Sequence, residues 1–312
     1  MSENATWSLM KSLLDNNKLI LMEASIVERL RRSRDIQFHP TLVHSPLIYD
    51  RDGRNELTKL YLEYIDIASE AKLPFLMGTP TWRANHERVY GSGVSKSINY
   101  DAVKFLREIR DTQTKGIVDI KIGGSIGCKN DCYLPKEGLT SSEAEQFHSW
   151  QIGQLVKGGA DFLIAETLPN VEESLGIAKA MEKAGMPYIM SYVINRNGNI
   201  LDGTPLIDAI NKLDDNTIVP PLGYMVNCSY PTFLCASQQP ETLFKRLLGY
   251  SANASSLDHC ELEGAEQLES ESVPEWGDSM LELNGKYGVK ILGGCCGTNG
   301  EHLKYIVRGY EE

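Results

Sequence analysis

Residues 141–194 read SSEAEQFHSWQIGQLVKGGA DFLIAETLPN VEESLGIAKAMEKAGMPYIMSYVI, and the order of patterns inside this stretch decides the fold. Ser141 to Gly158 has helical period, begins with Ser142 and Glu145 spaced as a capping box, and stops at Gly158-Gly159. Asp161 to Glu166 is an apolar run of strand length. Val171 to Lys183 returns to the helical period and ends at Gly185, with Pro187 opening a second apolar run to Ile194. An alternation of this kind is the signature of a parallel sheet covered by helices.

The same rhythm runs outward in both directions. Further strands are expected at Lys18 to Ala24, Pro74 to Thr79, Ile117 to Gly123, Leu222 to Cys228, Gly249 to Ala254 and Val289 to Gly294. Glu56 to Ala71 reads as a helix with Leu57, Leu60, Tyr61, Tyr64, Ile65 and Ala68 on one stripe, and Asn299 to Gly309 as the last helix. Eight strands in βα order predict a single (β/α)8 TIM barrel. An open doubly wound sheet is the alternative, but no glycine-rich dinucleotide fingerprint follows the first strand. Arg31 to Arg54, with two prolines and no clear period, is long for a connection and is expected to wrap across the barrel mouth.

No Pro-, Gly- and Ser-rich linker divides the chain, so residues 1–312 read as one domain, with 1–17 as a lead-in and 255–285 as an acidic insertion after the seventh strand. Between Arg246 and Lys286 there is no Lys or Arg, while Asp258, Glu261, Glu263, Glu266, Glu269, Glu271, Glu275, Asp278 and Glu282 accumulate. That run reads as a solvated face. A net charge of -11 argues against nucleic acid or an anionic membrane as partner, since both require clustered Lys and Arg. The N-terminus lacks a basic region followed by an apolar stretch, and no run reaches the roughly 18 apolar residues of a membrane span. The chain therefore reads as soluble and cytoplasmic, with a small molecule as partner. Seven cysteines, an odd count in a chain too long to need disulfide stapling, point to reduced thiols.

In such a barrel the chemistry sits at the C-terminal ends of the strands. Glu23, Thr79, Thr81, Ser125, Glu166, Asn227, Cys228 and the Cys295-Cys296 pair occupy those positions. Three thiols can hold a zinc ion at about 2.3 Å and leave the fourth tetrahedral position for a substrate thiol. Adjacent cysteines in an extended strand point apart, so both reach one ion only where the chain bends, and Gly293-Gly294 and Gly297 permit a bend. A redox dithiol and plain core packing remain alternatives, because the spacing of the three is not a compact zinc motif. His39, His44 and His86 show no ligand spacing, and Trp82 and Tyr192 at strand ends either form an aromatic wall against a methylated cation or simply pack at the rim.

The residues also carry a resemblance. Gly293-Gly-Cys-Cys-Gly-Thr298 together with Asn227-Cys228-Ser229 resembles the zinc-binding signature of the homocysteine S-methyltransferase family. Gly78-Thr-Pro-Thr-Trp-Arg-Ala-Asn85, Gly124-Ser-Ile-Gly127 and Asp161-Phe-Leu-Ile-Ala-Glu-Thr167 are similar to its segments at the second, third and fourth strands. The resemblance implies a barrel in which Cys228, Cys295 and Cys296 bind zinc and a methyl group passes to the thiolate of homocysteine, giving methionine. It makes Glu166 a substrate carboxylate, suited to an ammonium group. With no room for cobalamin or folate domains and no long C-terminal extension, the donor is expected to be a sulfonium such as S-methylmethionine or S-adenosylmethionine. A catalytically silent zinc- and thiol-binding barrel, or a different small thiol as acceptor, is the alternative.

Two stretches depart from the family pattern. Met22-Glu23-Ala24-Ser25-Ile26-Val27 stands where the family has Asp-Gly followed by Met-Gly-Thr, so Glu23 offers a displaced, longer carboxylate. Cys128 replaces the proline that follows the third strand, and with Cys132 forms a Cys-x-x-x-Cys pair that is either a second metal or redox site or a pair of incidental loop thiols. Cys235 and Cys260 read as structural or incidental.

Overall fold

The computed structural model describes residues 3–33, 36–112, 118–258 and 270–311. Ile117, Cys260 and the acids Glu261, Glu263, Glu266 and Glu269 lie outside the described residues.

Eight parallel strands close into a barrel in sequence order: β1 (Ile20–Met22), β2 (Phe75–Gly78), β3 (Ile120–Gly127), β4 (Phe162–Leu168), β5 (Tyr188–Tyr192), β6 (Gly223–Asn227), β7 (Leu247–Ala252) and β8 (Ile291–Gly294). Ile20 and Leu21 of β1 pair with Ile291 and Leu292 of β8, which closes the ring. The helices are α1 (Glu3–Asn16), α2 (Val27–Arg31), α3 (Arg51–Glu70), α4 (His86–Ser92), α5 (Ile98–Thr112), α6 (Ser141–Gly158), α7 (Val171–Lys183), α8 (Leu206–Asp215), α9 (Glu241–Phe244), α10 (Val273–Tyr287) and α11 (Gly300–Glu311). The architecture is the expected (β/α)8 barrel.

The interior is built in layers. Ile20, Met22, Leu76, Phe162, Ile164, Ile189, Met225 and Ile291 form one buried apolar cluster, and Met10, Leu13 and Leu14 of α1 pack into it from the N-terminal end. The stretch expected as a lead-in is thus a helix that plugs the barrel floor, tied by a bond from Trp7 Nε1 to the Gly185 carbonyl at 3.1 Å. Because side chains alternate along a strand, residues two positions beyond this layer face the same way. Those positions hold Gly78, Glu166, Ser191, Asn227 and Gly293. Apolar below and small or polar above, the barrel carries its chemistry only at the C-terminal mouth. The outer core, between sheet and helices, includes Tyr61, Tyr64, Leu163, Tyr192, Tyr224 and Tyr250.

Several local expectations are corrected. The capping box of α6 uses Thr140 and Glu143, two residues before the expected pair, with Thr140 N donating to Glu143 Oε2 at 3.0 Å. Helix α3 starts at Arg51, capped by Asp50, whose carboxylate accepts from Gly53 N at 2.7 Å. Strand β3 runs on to Gly127, because Gly123 and Gly124 let Phe162, Leu155 and Leu163 pack directly against the backbone. Between β1 and α3 the chain forms α2 and a 3-10 turn at Ser45–Tyr49, and this turn packs against α3 and α5 instead of crossing the mouth. Part of the acidic run lies on α10, where Asp278 accepts from Tyr305 Oη at 2.7 Å and Glu282 pairs with Lys286 at 3.0 Å.

Candidate metal centre and substrate mouth

Cys228 is the first residue after β6, and Cys295 and Cys296 are the first two after β8. Their three Sγ atoms lie within 4.8 Å of one another, and no other such group of metal-ligating side chains occurs among the described residues. Cys228 and Cys295 Sγ approach to 2.6 Å as free thiols, while Cys296 is exposed to the mouth.

Local backbone chemistry brings the three together. Cys228 has φ +53°, a left-handed conformation that a side chain with a Cβ seldom adopts. Its N–H still reaches the Ser251 carbonyl at 3.2 Å. After β8 the chain turns tightly: Cys295 N donates to Ala252 O at 2.7 Å, and Thr298 Oγ1 donates back to Cys295 O at 2.7 Å. Cys296 N donates to Asn253 Oδ1 at 3.2 Å. The bend falls at Gly297, φ +83°, whose N–H donates to the Glu28 carboxylate. Gly293 and Gly294 serve a different purpose from the expected one. A Cβ at Gly293 would meet Met22 Cβ at 2.9 Å, and one at Gly294 would collide with the Thr298 side chain.

A residue that pattern reading passes over completes this corner. Thr167 has φ +57° and sits where the β4–β5 register breaks between Ala165 and Leu168. The break lets consecutive residues serve the site, Glu166 toward Ser125 and Thr167 toward Cys228. Thr167 N donates to Asn227 Oδ1 at 2.8 Å, Asn227 Nδ2 donates to Thr167 Oγ1 at 2.7 Å, and Ser191 Oγ donates to Asn227 Oδ1 at 2.7 Å. The Thr167 hydroxyl lies 3.6 Å from Cys228 Sγ, where either atom can donate to the other as long as the sulfur is a thiol and the hydroxyl donates once it is a thiolate, and Asn227 Nδ2 lies 3.4 Å from the same sulfur. Left-handed backbone at a β-branched residue costs about 1–3 kcal/mol, which this closed network offsets.

The donor set fits a thiophilic ion. Thiolate is the ligand form, and within the trio negative charge settles on Cys296, held down by hydrogen bonds from Cys228 and Cys295. A tetrahedral ion bound at about 2.3 Å spaces its sulfurs by about 3.8 Å, so the trio needs only a small opening of the Cys228–Cys295 contact. Three protein thiols leave one coordination position toward the mouth.

The carboxyl groups come from β4 and from the residue after β1, the strand paired with β8. Glu166 accepts the Ser125 hydroxyl. Glu23 accepts from Gly78 N at 2.7 Å through Oε1, while its Oε2 is buried without a partner. Burial pushes the Glu23 carboxyl up to about 8, with the nearby Glu166 charge adding to it, and burial raises Glu166 as well. Thr79 and Thr81 are buried and committed to β3: Ser125 N donates to Thr79 Oγ1 at 2.9 Å, Thr79 to Thr81 Oγ1 at 2.7 Å, and Thr81 Oγ1 to Ser125 O at 2.6 Å. Trp82 borders the mouth, its Nε1 3.3 Å from the Glu166 carbonyl. Tyr192 does not; it stacks on Tyr224 at 6.3 Å in the outer core.

Among the described residues the other thiols and the histidines join no ligand group with the trio, although Cys132 is near enough to act on the charge of Cys228 and Cys296. Cys128 and Cys132 are each 3% exposed, and burial pushes the Cys132 thiol up to about 12 and Cys128 higher still. Their loop is clamped by Glu173 of α7, which accepts from Lys129 N at 2.7 Å and Leu139 N at 3.2 Å and meets the buried His148 Nε2 at 3.0 Å. His39, His44 and His86 belong to no metal-ligating group among the described residues.

Residues 13–309 match the homocysteine S-methyltransferase family. A homocysteine S-methyltransferase of Bacillus subtilis, YbgG, is 26% identical over 64% of this chain and 64% of its own length, and that of Escherichia coli is 22% identical over 96% of both. The chain thus spans just under two thirds of the Bacillus relative. Among solved structures, the metallated form of the homocysteine methyltransferase MmuM from Escherichia coli superposes with a TM-score of 0.75 at 17% identity, covering 96% of this chain and 99% of that one, a likeness of fold. No helix among the described residues is long and apolar enough to cross a membrane.

Proposed function

Because the chain belongs to the homocysteine S-methyltransferase family, we propose that it transfers a methyl group from a small sulfonium donor to the sulfur of homocysteine, giving methionine, with zinc held by Cys228, Cys295 and Cys296. The observation that carries this reading is the convergence of three thiols from two strand ends on one point of an open mouth. Zinc bound there supplies a Lewis acid that keeps a substrate thiol deprotonated at neutral pH.

The remaining roles fall to the chain. Thr167 and Asn227 hold Cys228 by hydrogen bonds to its sulfur. Glu166 and Glu23 offer carboxyl oxygens to the ammonium group of the acceptor, which fixes the reach from that end of the molecule to the thiol end. Thr79 and Thr81 act behind Ser125, setting the hydroxyl that orients Glu166. Trp82 offers an aromatic edge at the rim where a cationic donor would pass. In the transfer the acceptor sulfur forms the new bond to the methyl carbon, the carbon–sulfonium bond breaks, and the donor leaves as a neutral thioether. A sulfonium is favoured as donor because it is small, carries its own leaving group and is drawn to an acidic mouth.

Metal analysis with a donor screen tests this reading. The purified protein is expected to hold about one equivalent of zinc, to lose it in Cys296→Ala, and to methylate homocysteine with S-methylmethionine or S-adenosylmethionine. Zinc below half an equivalent that Cys296→Ala leaves unchanged would sink the metal assignment; absence of methylated product across sulfonium, betaine and methylfolate donors would sink the acceptor.

A further inference from the structure

Two acids share the mouth, and among the described residues no base pairs with either of them. Glu23 follows β1 and Glu166 lies on β4. The groups that face Glu23 come from four directions. From α3, Tyr61 donates its hydroxyl to Gly78 O at 2.8 Å and Tyr64 donates to Ser25 O at 2.8 Å, so both are neutral phenols committed to the backbone. Arg29 of α2 stands behind Tyr64, 2.9 Å from its hydroxyl, and its charge is taken by Glu63 at 2.9 Å. From β2 and β8 come Gly78, Gly293 and Gly294, which carry no charge. From β4 comes Glu166, whose charge acts on Glu23. The thiols of Cys228, Cys295 and Cys296 complete the mouth beyond.

Two carboxylates in one buried site, with one N–H and one hydroxyl as donors, cannot both stay ionised; one keeps a proton unless a cation arrives. Glu23 is the holder. Its Oε1 is occupied by Gly78 N, and its Oε2, buried and without an acceptor or donor, is the atom that carries the proton. Glu166 has its charge supported by the Ser125 hydroxyl, which pulls it back toward the ionised form.

Resting on the reading of this mouth as the acceptor's amino-acid site, we infer that an ammonium-bearing ligand enters it in exchange for the proton on Glu23. The O–H bond at Glu23 Oε2 breaks, the proton leaves to solvent, and the ligand's N–H groups take its place between two carboxylates. Selection follows from the same exchange: a ligand of the same shape without the ammonium leaves the proton where it is and forfeits the ion pairs. The sign is set by proton release. Affinity rises with pH by about tenfold per unit while Glu23 is protonated, and levels off above about 8, where the proton is already gone.

Calorimetry of the purified protein at pH 7 in two buffers of different ionisation enthalpy measures the protons released. The probes are L-methionine, which has the ammonium but no thiol proton to confuse the count, 4-(methylsulfanyl)butanoate, which lacks the ammonium, and n-butylammonium. Methionine and butylammonium are expected to release close to one proton each from the wild type and none from Glu23→Gln, whose affinity stays flat between pH 6 and 8. The butanoate releases none. In Glu166→Gln the neighbour's charge is lost, so the affinity levels off at lower pH. That variant keeps the test alive should Glu23→Gln not fold. Binding of either cation without proton release, or with equal release in Glu23→Gln, overturns the inference, even in a protein that methylates homocysteine. Proton-coupled binding of butylammonium with no binding of methionine or homocysteine supports it and removes the amino-acid reading instead. Failure of all the cations to bind overturns both.

Discussion

Cys128, Cys228 and Cys295 hold equivalent places, each being the first residue beyond its strand, yet they meet opposite fates. Around Cys228 and Cys295 the backbone turns left-handed or doubles back, the sulfurs face one another, and Thr167 and Asn227 offer donors to sulfur. Cys128 is turned into the protein with Cys132, its thiol donating to Asn130 O at 3.5 Å. Arg83 Nη1 reaches the same carbonyl at 2.7 Å, and Arg88 Nη2 reaches Lys129 O at 3.1 Å. Burial outweighs the pull of these guanidinium groups, and both thiols stay raised. A strand end supplies the place for a reactive group, and the hydrogen bonds available there decide whether it reacts or packs.

The sharpest way to break this contrast is to remove sulfurs from each group. Cys295→Ala is expected to lose bound metal and to reduce methyl transfer by at least roughly 100-fold, above the range for loss of an outer partner. Cys128→Ala with Cys132→Ala should keep the full metal content; a fall in the metal of the double variant would merge the two groups. Next in size is Glu173→Ala, which strips two backbone N–H groups and buried His148 of their acceptor and should cost about 3 kcal/mol in urea unfolding. In that variant Cys132 should become alkylatable in the native protein.

Thr167→Val sharpens the reactive side. It keeps the shape and removes the hydroxyl, so metal affinity should drop about tenfold, or about 1.4 kcal/mol, by chelator competition. Thr167→Ser should restore it to within about twofold. Equal loss in both variants would assign Thr167 to backbone geometry and not to its bond with Cys228. The smallest effect belongs to the packed pair: Cys128→Ala and Cys132→Ala should each cost about 1 kcal/mol of stability. In metal-free wild type, Cys296 should be alkylated first, and Cys128 and Cys132 only on unfolding, in keeping with their exposure.

Much of this was legible because barrels repeat. The eight strands, their order and the placing of Cys228, Cys295, Cys296, Glu166 and Ser125 at one mouth follow from apolar period and from the rule that chemistry sits at strand ends. What escaped depends on tertiary contact. Gly123 to Gly127 looks like a loop until Phe162 and Leu155 are found packed on its backbone. The capping box slipped by two because Thr140-x-x-Glu143 and Ser142-x-x-Glu145 satisfy the same pattern, and the anchoring of Leu139 N by Glu173 favours the earlier start. Thr167 has no local signal, since its left-handed backbone arises from a register break against β5. Tyr192 sits near a strand end as expected, but the alternation of side chains sends it outward to Tyr224.

Helix α1 seats Met10, Leu13 and Leu14 against the apolar layer, and the barrel becomes a vessel with one door. Under the proposed reaction, acceptor, donor and both products would share that opening, so whichever reactant reached the carboxyl end first would be covered by the second. On the proposed reaction, the floor laid by α1 predicts an order of arrival, the amino acid before the methyl donor, with product inhibition at the shared door as its kinetic sign.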